Sequence, residues 1–215
     1  MSESYYLGIE LGSTRIKAVL IDESTGVVAS GSHTWANQLV DGYWSYSLDA
    51  VWVGLREAYA NLAGDFELKR GSTLTQVGCI GISAMMHGYL AFDAGDKLLA
   101  PFRTWRNTTT GPASEELTRE FNFAMPQRWS GSHLYQAVLN GEAHVADIAH
   151  LTTLAGYVHW MLTGEKVLGV GDASGMLPID AAHQWDQSRL DIFQGLLRAH
   201  GCELELTAIL PLRGN

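Results

Sequence analysis

The chain has 215 residues, a formal net charge of −9 and 47% apolar residues. This length and composition predict a folded protein with a hydrophobic core and exclude a disordered chain. The negative charge argues against non-specific nucleic-acid binding, because a phosphate backbone attracts a basic surface. No apolar stretch reaches the roughly 18 uncharged residues of a membrane helix. Residues 1–6 lack the basic start and apolar core of a signal peptide.

Cysteine usage points to a reducing environment. Only two cysteines occur, Cys79 and Cys202, and they are far apart in the sequence. Cys79 lies in an apolar run, which predicts a small buried side chain. Together with the missing signal peptide, this usage favours a cytoplasmic location.

The first segments of the chain predict an antiparallel meander. Residues 5–10 and 15–22 are largely apolar and form two strands, and residues 23–26 have the composition of a turn. Residues 27–34 form the third strand. Tight turns between consecutive strands require antiparallel pairing.

A helix and further strands follow the meander. Apolar residues recur at helical spacing over 48–63, and Asp49 near its start suits the helix dipole. Residues 77–83 form a short apolar run typical of a buried parallel strand. Residues 90–93 and 97–99 flank an Ala-Gly-Asp turn and predict a hairpin.

From residue 111 onward the pattern is mainly helical, with predicted helices over 112–122, 132–140, 148–163 and 186–200. We find no repeat, low-complexity linker or clear domain boundary. Three antiparallel strands, a helix and a parallel strand open the fold shared by ribonuclease H, actin and sugar kinases. The predicted class is therefore α/β, a ribonuclease H-like (actin-like ATPase) domain with a mixed sheet flanked by helices.

The turn between the first two strands is the first candidate site. In this topology it faces a nucleotide. Gly12 lets the backbone approach a phosphate, Ser13 and Thr14 offer hydroxyl and amide donors, and Lys17 adds positive charge. Glu10, which ends an otherwise apolar run, would hold Mg²⁺ through water, because this ion keeps most of its hydration shell.

An ordinary hairpin turn is the alternative interpretation of the same residues. Gly-Ser-Thr is common turn chemistry, and Glu10 would then be a solvated carboxylate at a strand end. The chain has no GxxxxGK[ST] phosphate loop, and the glycines of residues 169–175 do not fit GxGxxG spacing. These absences argue against a dinucleotide-binding fold.

Six segments occur together in a recognisable order: "GIELGSTRIKAVLID" (8–22), "GISAMMHG" (81–88), "WRNTT" (105–109), "LTGE" (162–165), "DASGML" (172–177) and "LP" (210–211). In order and spacing they resemble the N-terminal half of the FGGY family of carbohydrate kinases. The "MHG" segment is most similar to the xylulokinase-like branch.

The resemblance implies a sugar site, with ATP and Mg²⁺ as cofactors. It implies that His87 binds a sugar hydroxyl and that Met86 packs on the sugar carbons. Trp105 would stack on an apolar sugar face, and Asn107 would bind a further hydroxyl. Without the resemblance, His87 is more simply a structural histidine in a loop, and Trp105 a core residue.

Several positions depart from the family pattern. Glu10 replaces the usual Asp, and Asn107 and Thr109 replace an Asp and an Arg, so the substrate need not be D-xylulose. A "KxxW" segment is missing near residues 133–136. Asp172 resembles a structural, helix-capping position rather than a base.

Family members are much longer than this chain. The resemblance implies that their catalytic aspartate and adenosine pocket lie beyond the position of residue 215. Residues 1–215 are therefore predicted to be an N-terminal sugar-kinase domain without the C-terminal ATP-binding domain. We expect this part to be inactive alone.

Three functions fit these observations. The first is the sugar-binding half of a kinase that phosphorylates a ketose, such as a pentulose, or a polyol, with a homodimer possible. The second is a non-catalytic sugar-binding or regulatory module. The third is another actin-like ATPase, against which residues 84–88 and Trp105 argue.

Overall fold

The computed structural model describes residues 4–24 and 26–212. Their contacts form two compact units. Unit 1 comprises the chain up to residue 38 and residues 46–85, and unit 2 comprises residues 39–45 and the chain from residue 86 onward. Unit 2 is therefore formed by two separate segments of the chain. Nothing in the sequence indicates this division, because it contains no recognisable linker.

In the described part of the chain, strands predominate before residue 111 and helices after it. The strands are β1 (Tyr5–Leu11), β2 (Arg15–Asp22), β3 (Gly26–Thr34), β4 (Gln38–Val40), β5 (Tyr43–Ser45), β6 (Cys79–Ala84), β7 (Leu90–Phe92) and β8 (His150–Thr152). The helices are α1 (Leu48–Arg70), α2 (Gly111–Phe121), α3 (Ser130–Leu139), α4 (Leu154–Thr163), α5 (Val170–Ala173), α6 (Gln187–Ala199) and α7 (Leu206–Ile209), with a 3-10 helix at Ala143–Asp147. No helix in the described part has both the length and the hydropathy needed to span a bilayer.

Unit 1 is a four-stranded mixed sheet with the strand order β3-β2-β1-β6. β1 pairs antiparallel with β2, β2 pairs antiparallel with β3, and β6 pairs parallel with β1. The predicted meander and the parallel direction of the strand after the helix are therefore confirmed.

Helix α1 covers one face of this sheet. Ser47 caps its start by accepting a hydrogen bond of 3.1 Å from the Ala50 amide. The buried stripe continues to Phe66, and Gly71 ends the helix in the left-handed region at φ 67°. The predicted end at residue 63 was too early, because the apolar spacing persists for one more turn. Gly31 of β3 allows close approach, since a Cβ there would lie 2.2 Å from the Ala58 carbonyl oxygen.

The predicted burial of the parallel strand was wrong. Among the described residues β6 is the outer strand of the sheet, so no strand covers its far side. Cys79 is exposed and Ile80 is 46% exposed. A run of apolar residues predicts a strand. It does not predict whether that strand lies at the edge or in the centre of the sheet, because similar residues occur at both positions.

Unit 2 is built mainly from helices around one apolar core, which includes Leu117, Tyr135, Leu151 and Phe193. The predicted helices over 112–122, 132–140 and 186–200 correspond to α2, α3 and α6.

One prediction in unit 2 needs correction. The predicted helix over 148–163 begins only at Leu154, because residues 150–152 form β8 and pair antiparallel with β7. Thr153 separates the two elements and caps α4 by accepting a hydrogen bond of 3.0 Å from the Gly156 amide. The predicted hairpin is present in short form: Phe92 pairs antiparallel with Leu98, and the Leu99 amide donates to the Ala91 carbonyl at 2.9 Å.

Candidate functional site

The turn after β1 is held from within unit 1 by two aromatic residues. Trp35 donates from its indole nitrogen to the Gly12 carbonyl at 2.7 Å and from its amide to the Thr14 carbonyl at 3.2 Å. The Tyr46 hydroxyl donates to the Ser13 carbonyl at 2.5 Å. The rings of Trp35 and Tyr46 stack with centroids 4.2 Å apart. All three carbonyl oxygens of the turn are therefore occupied.

This arrangement leaves donors on the exposed side of the turn. Ser13 and Thr14 are exposed, and no hydrogen bond within the described part of the chain uses their amides or hydroxyls. The Gly12 amide is not available, because it donates to the Arg15 carbonyl at 3.0 Å. Backbone dipoles with bound carbonyls and free amides favour an anion. Ser13 and Thr14 therefore stay the predicted phosphate donors, and Gly12 shapes the turn without offering its own amide.

Glu10 has a partner that the sequence does not reveal. It lies directly opposite Lys17 in the β1–β2 register. The Lys17 ammonium nitrogen is 2.9 Å from Glu10 Oε2, and both side chains are about half exposed. The same register places Ser32 and Ser83 beside them on the neighbouring strands. The acidic residue therefore interrupts the apolar run as one half of a cross-strand ion pair.

The residues around Glu10 fit Mg²⁺ only in a largely hydrated form. The described residues contain no cluster of three or more metal-ligating side chains. One exposed carboxylate with neighbouring hydroxyls matches an ion that keeps its waters and binds phosphate oxygens, rather than an ion caged by protein.

His87 is the centre of the second candidate site, in unit 2. Its backbone lies in the left-handed region at φ 68°. Its Nδ1 is 3.1 Å from the Gly175 carbonyl oxygen. A carbonyl only accepts, so Nδ1 carries the proton and Nε2 is the acceptor. Burial lowers the pKa of His87, which keeps the ring neutral near pH 7.

Gly175 is shaped to receive the His87 ring. A Cβ at position 175 would lie 2.7 Å from His87 Nδ1 and 3.2 Å from Met86 Cε. Ordinary contact begins near 3.4 Å, so any side chain here would displace the ring. The segments around residues 87 and 175, both of which carry the sequence resemblance, are therefore in direct contact.

The loop that carries His87 is fixed on its other side as well. Gly88, at φ 111°, packs so closely that a Cβ would lie 2.8 Å from the Arg103 carbonyl oxygen. The Ser130 hydroxyl donates to the Gly88 carbonyl. The ring of Trp129 stacks with His87 at a centroid distance of 6.2 Å. These contacts fix the loop, so that the Nε2 acceptor keeps one direction.

The remaining predicted sugar residues differ in position. Trp105 is 42% exposed and Met86 is 45% exposed, which leaves both surfaces available to a ligand. Asn107 is 3% exposed. Its amide oxygen accepts from the Trp44 amide at 2.8 Å, and its nitrogen donates to the carbonyls of Trp44 and Thr104 at 2.9 Å. Because both ends of the amide are used, Asn107 holds two chain segments together and we do not retain it in the proposed site.

Four residues of these sites were not predicted from the sequence: Trp35, Tyr46, Trp129 and Gly175. Gly175 lies inside the quoted "DASGML" segment, so its glycine was a usable signal. The aromatic residues had no distinguishing signal, since the chain contains 7 Trp and 8 Tyr that sequence alone assigns to the core.

Comparison with known proteins identifies the class of the fold. The model of the FGGY family of carbohydrate kinases, N-terminal domain, matches residues 5–200. The crystal structure of a xyloylose kinase from Brucella ovis superposes with a TM-score of 0.77 at 22% identity, covering 97% of this chain and 42% of that one. The predicted actin-like fold is therefore confirmed, and this chain belongs to the FGGY family of carbohydrate kinases.

Related sequences include enzymes for different sugars. A xylulose kinase from Klebsiella pneumoniae is 25% identical over 197 residues, covering 86% of this chain and 39% of that protein. A gluconokinase from Bacillus subtilis is 24% identical over 201 residues, covering 88% and 38%. This chain thus spans about two fifths of the length of these relatives.

Proposed function

We propose that this chain is the sugar-binding, N-terminal half of an ATP-dependent kinase that phosphorylates a hydroxyl of a small sugar or polyol. The observation that carries this proposal is the neutral His87 ring, held by the Gly175 carbonyl at 3.1 Å with Nε2 as an acceptor. Membership of the carbohydrate kinase family supports the substrate class.

The sugar side of the proposed reaction lies on unit 2. His87 Nε2 accepts a hydrogen bond from one substrate hydroxyl and orients it. Met86, which adjoins the ring, covers the substrate carbons, and the exposed face of Trp105 is suited to stacking. A loop fixed at Gly88 and Gly175 costs little ordering entropy when the ligand binds.

The phosphate side lies on unit 1. Ser13 and Thr14 donate to phosphate oxygens, and Lys17 offsets their charge. Bound Mg²⁺ would neutralise charge on the phosphates, with Glu10 oriented toward its water shell. By family resemblance, the catalytic carboxylate and the adenosine pocket belong to a second domain outside residues 1–215.

A non-catalytic sugar-binding or regulatory module is the second candidate. It would use the same His87 site without phosphoryl transfer. The coding sequence downstream of residue 215 distinguishes the two candidates. A reading frame there that encodes a second actin-like domain with a "GxxD" segment would favour the kinase over the non-catalytic module.

Calorimetric titration of the chain with D-xylulose and glycerol tests the sugar site. His87→Asn keeps a residue that tolerates the left-handed backbone but withdraws the Nε2 acceptor. We expect it to weaken sugar binding about tenfold, as for one lost hydrogen bond in a partly buried site. The matched control is His183→Asn, at an exposed histidine with φ 61°.

Equal loss of affinity in both variants, or binding of neither D-xylulose nor glycerol by the native chain, contradicts the proposal. In a coupled ADP-release assay with a panel of ketoses we expect only background for the chain alone. Sugar-dependent turnover would show that it contains a complete active site.

A further inference from the structure

Arg128 lies beside the proposed sugar site. Its carbonyl oxygen accepts a hydrogen bond of 3.2 Å from the amide of Gly88, the residue after His87. The next residue, Trp129, stacks on the His87 ring. Residues 87–88 and 128–129 therefore run side by side, and the Arg128 side chain is exposed at this junction.

The guanidinium of Arg128 has no carboxylate partner in the described part of the chain, unlike most other arginines of unit 2. Carboxylates hold four arginines of this unit: Arg103, Arg119, Arg189 and Arg198. An unpaired arginine next to a binding loop is available for an anionic ligand, and its planar fork matches a carboxylate.

The pKa of His87 shows that the charge of Arg128 acts at the proposed site. Within the described ranges, Arg128 is the only charged side chain that shifts the pKa of His87, and it lowers that pKa. The positive charge of Arg128 therefore acts on the His87 ring, although the chain carries a net charge of −9. Helix α3 begins at Ser130, and its N-terminal end adds potential of the same sign.

We infer that the preferred ligand of this site is a sugar acid, a polyhydroxy carboxylate whose hydroxyl binds His87 while its carboxylate pairs with Arg128. The inference rests on the proposed function, because it assigns a substrate class to the same site. A neutral ketose or polyol would use the hydroxyl contacts and leave the guanidinium unused.

D-Gluconate and D-glucitol form a matched pair of probes, since they differ only in a carboxylate in place of a terminal alcohol. In titrations of the 215-residue chain we expect gluconate to bind about tenfold more tightly, the effect of one charge-assisted hydrogen bond. Arg128→Gln should abolish this preference and leave glucitol binding unchanged. Arg128→Lys should retain part of it, because the charge remains but the fork is lost.

Arg119→Gln is the matched charge control, since Glu116 and Glu120 already hold that guanidinium. It should leave both affinities unchanged. Equal binding of gluconate and glucitol, or a preference that survives Arg128→Gln, overturns the sugar-acid assignment while the polyol site stands. If Arg128→Gln abolishes binding of inorganic phosphate but no gluconate preference exists, Arg128 serves phosphate and the inference is wrong. Absence of binding by both probes overturns the sugar-acid assignment, and absence of binding by D-xylulose and glycerol as well removes the proposed function itself.

Discussion

Gly175→Ala tests whether the contact between residues 87 and 175 builds the sugar site. The new Cβ would lie 2.7 Å from His87 Nδ1, against a normal contact that begins near 3.4 Å. The ring must move, and it then loses the 3.1 Å hydrogen bond to the Gly175 carbonyl. We expect the free energy of unfolding to fall by about 1–3 kcal/mol, the usual cost of overpacking.

Gly175→Ala should weaken sugar binding as well as lower stability. The displaced ring no longer presents Nε2 in a fixed direction, so we expect sugar affinity to fall about tenfold or more. Urea unfolding and calorimetric titration measure the two quantities separately. Gly171→Ala is the control, because a Cβ at residue 171 would meet no atom within 4 Å.

Native stability and native sugar affinity in Gly175→Ala would contradict this prediction. An equal effect in Gly171→Ala would also contradict it, because the loss would then not come from the contact with His87.

Three further predictions concern single side chains. Tyr46→Phe leaves the Ser13 carbonyl without its 2.5 Å donor, so urea unfolding should show a loss of about 1–3 kcal/mol and phosphate binding should weaken. Glu10→Gln breaks an ion pair with half-exposed partners, so the same measurement should show a change below about 1 kcal/mol, while Mg²⁺-dependent phosphate binding falls. Burial lowers the pKa of His133 to about 3, below its unfolded value of about 6.5. The unfolded chain therefore takes up the proton first, and stability is lost as the pH falls from about 6.5 toward 3, by up to about 2 kcal/mol at pH 5. His133→Leu should remove this part of the pH dependence.

Each of these has a contrary outcome. A stable Tyr46→Phe variant with native phosphate binding would mean that the hydroxyl does not shape the turn. Unchanged Mg²⁺ dependence in Glu10→Gln would leave Glu10 with only its ion pair. An identical loss of stability between pH 7 and pH 5 in native protein and His133→Leu would assign that loss to other groups.

The sequence by itself determined the local elements and the family. Strand and helix periodicities arise from backbone geometry that each segment carries alone, so the meander, α1, α2, α3 and α6 were predictable. The collinear motifs indicated the carbohydrate kinase family because their order extends over most of the chain. The candidate residues Ser13, Thr14 and His87 came from the same motifs.

Tertiary structure decided how those residues are paired. Glu10 faces Lys17 because the β1–β2 register pairs these two residues. That register depends on turn geometry and packing. His87 meets Gly175 from a distance of 88 positions along the chain, a contact that no local pattern encodes. Asn107 proved buried and Cys79 exposed, because burial depends on which neighbours the folded chain supplies. The sequence named the chemical groups, and long-range packing determined which of them remain free to bind a ligand.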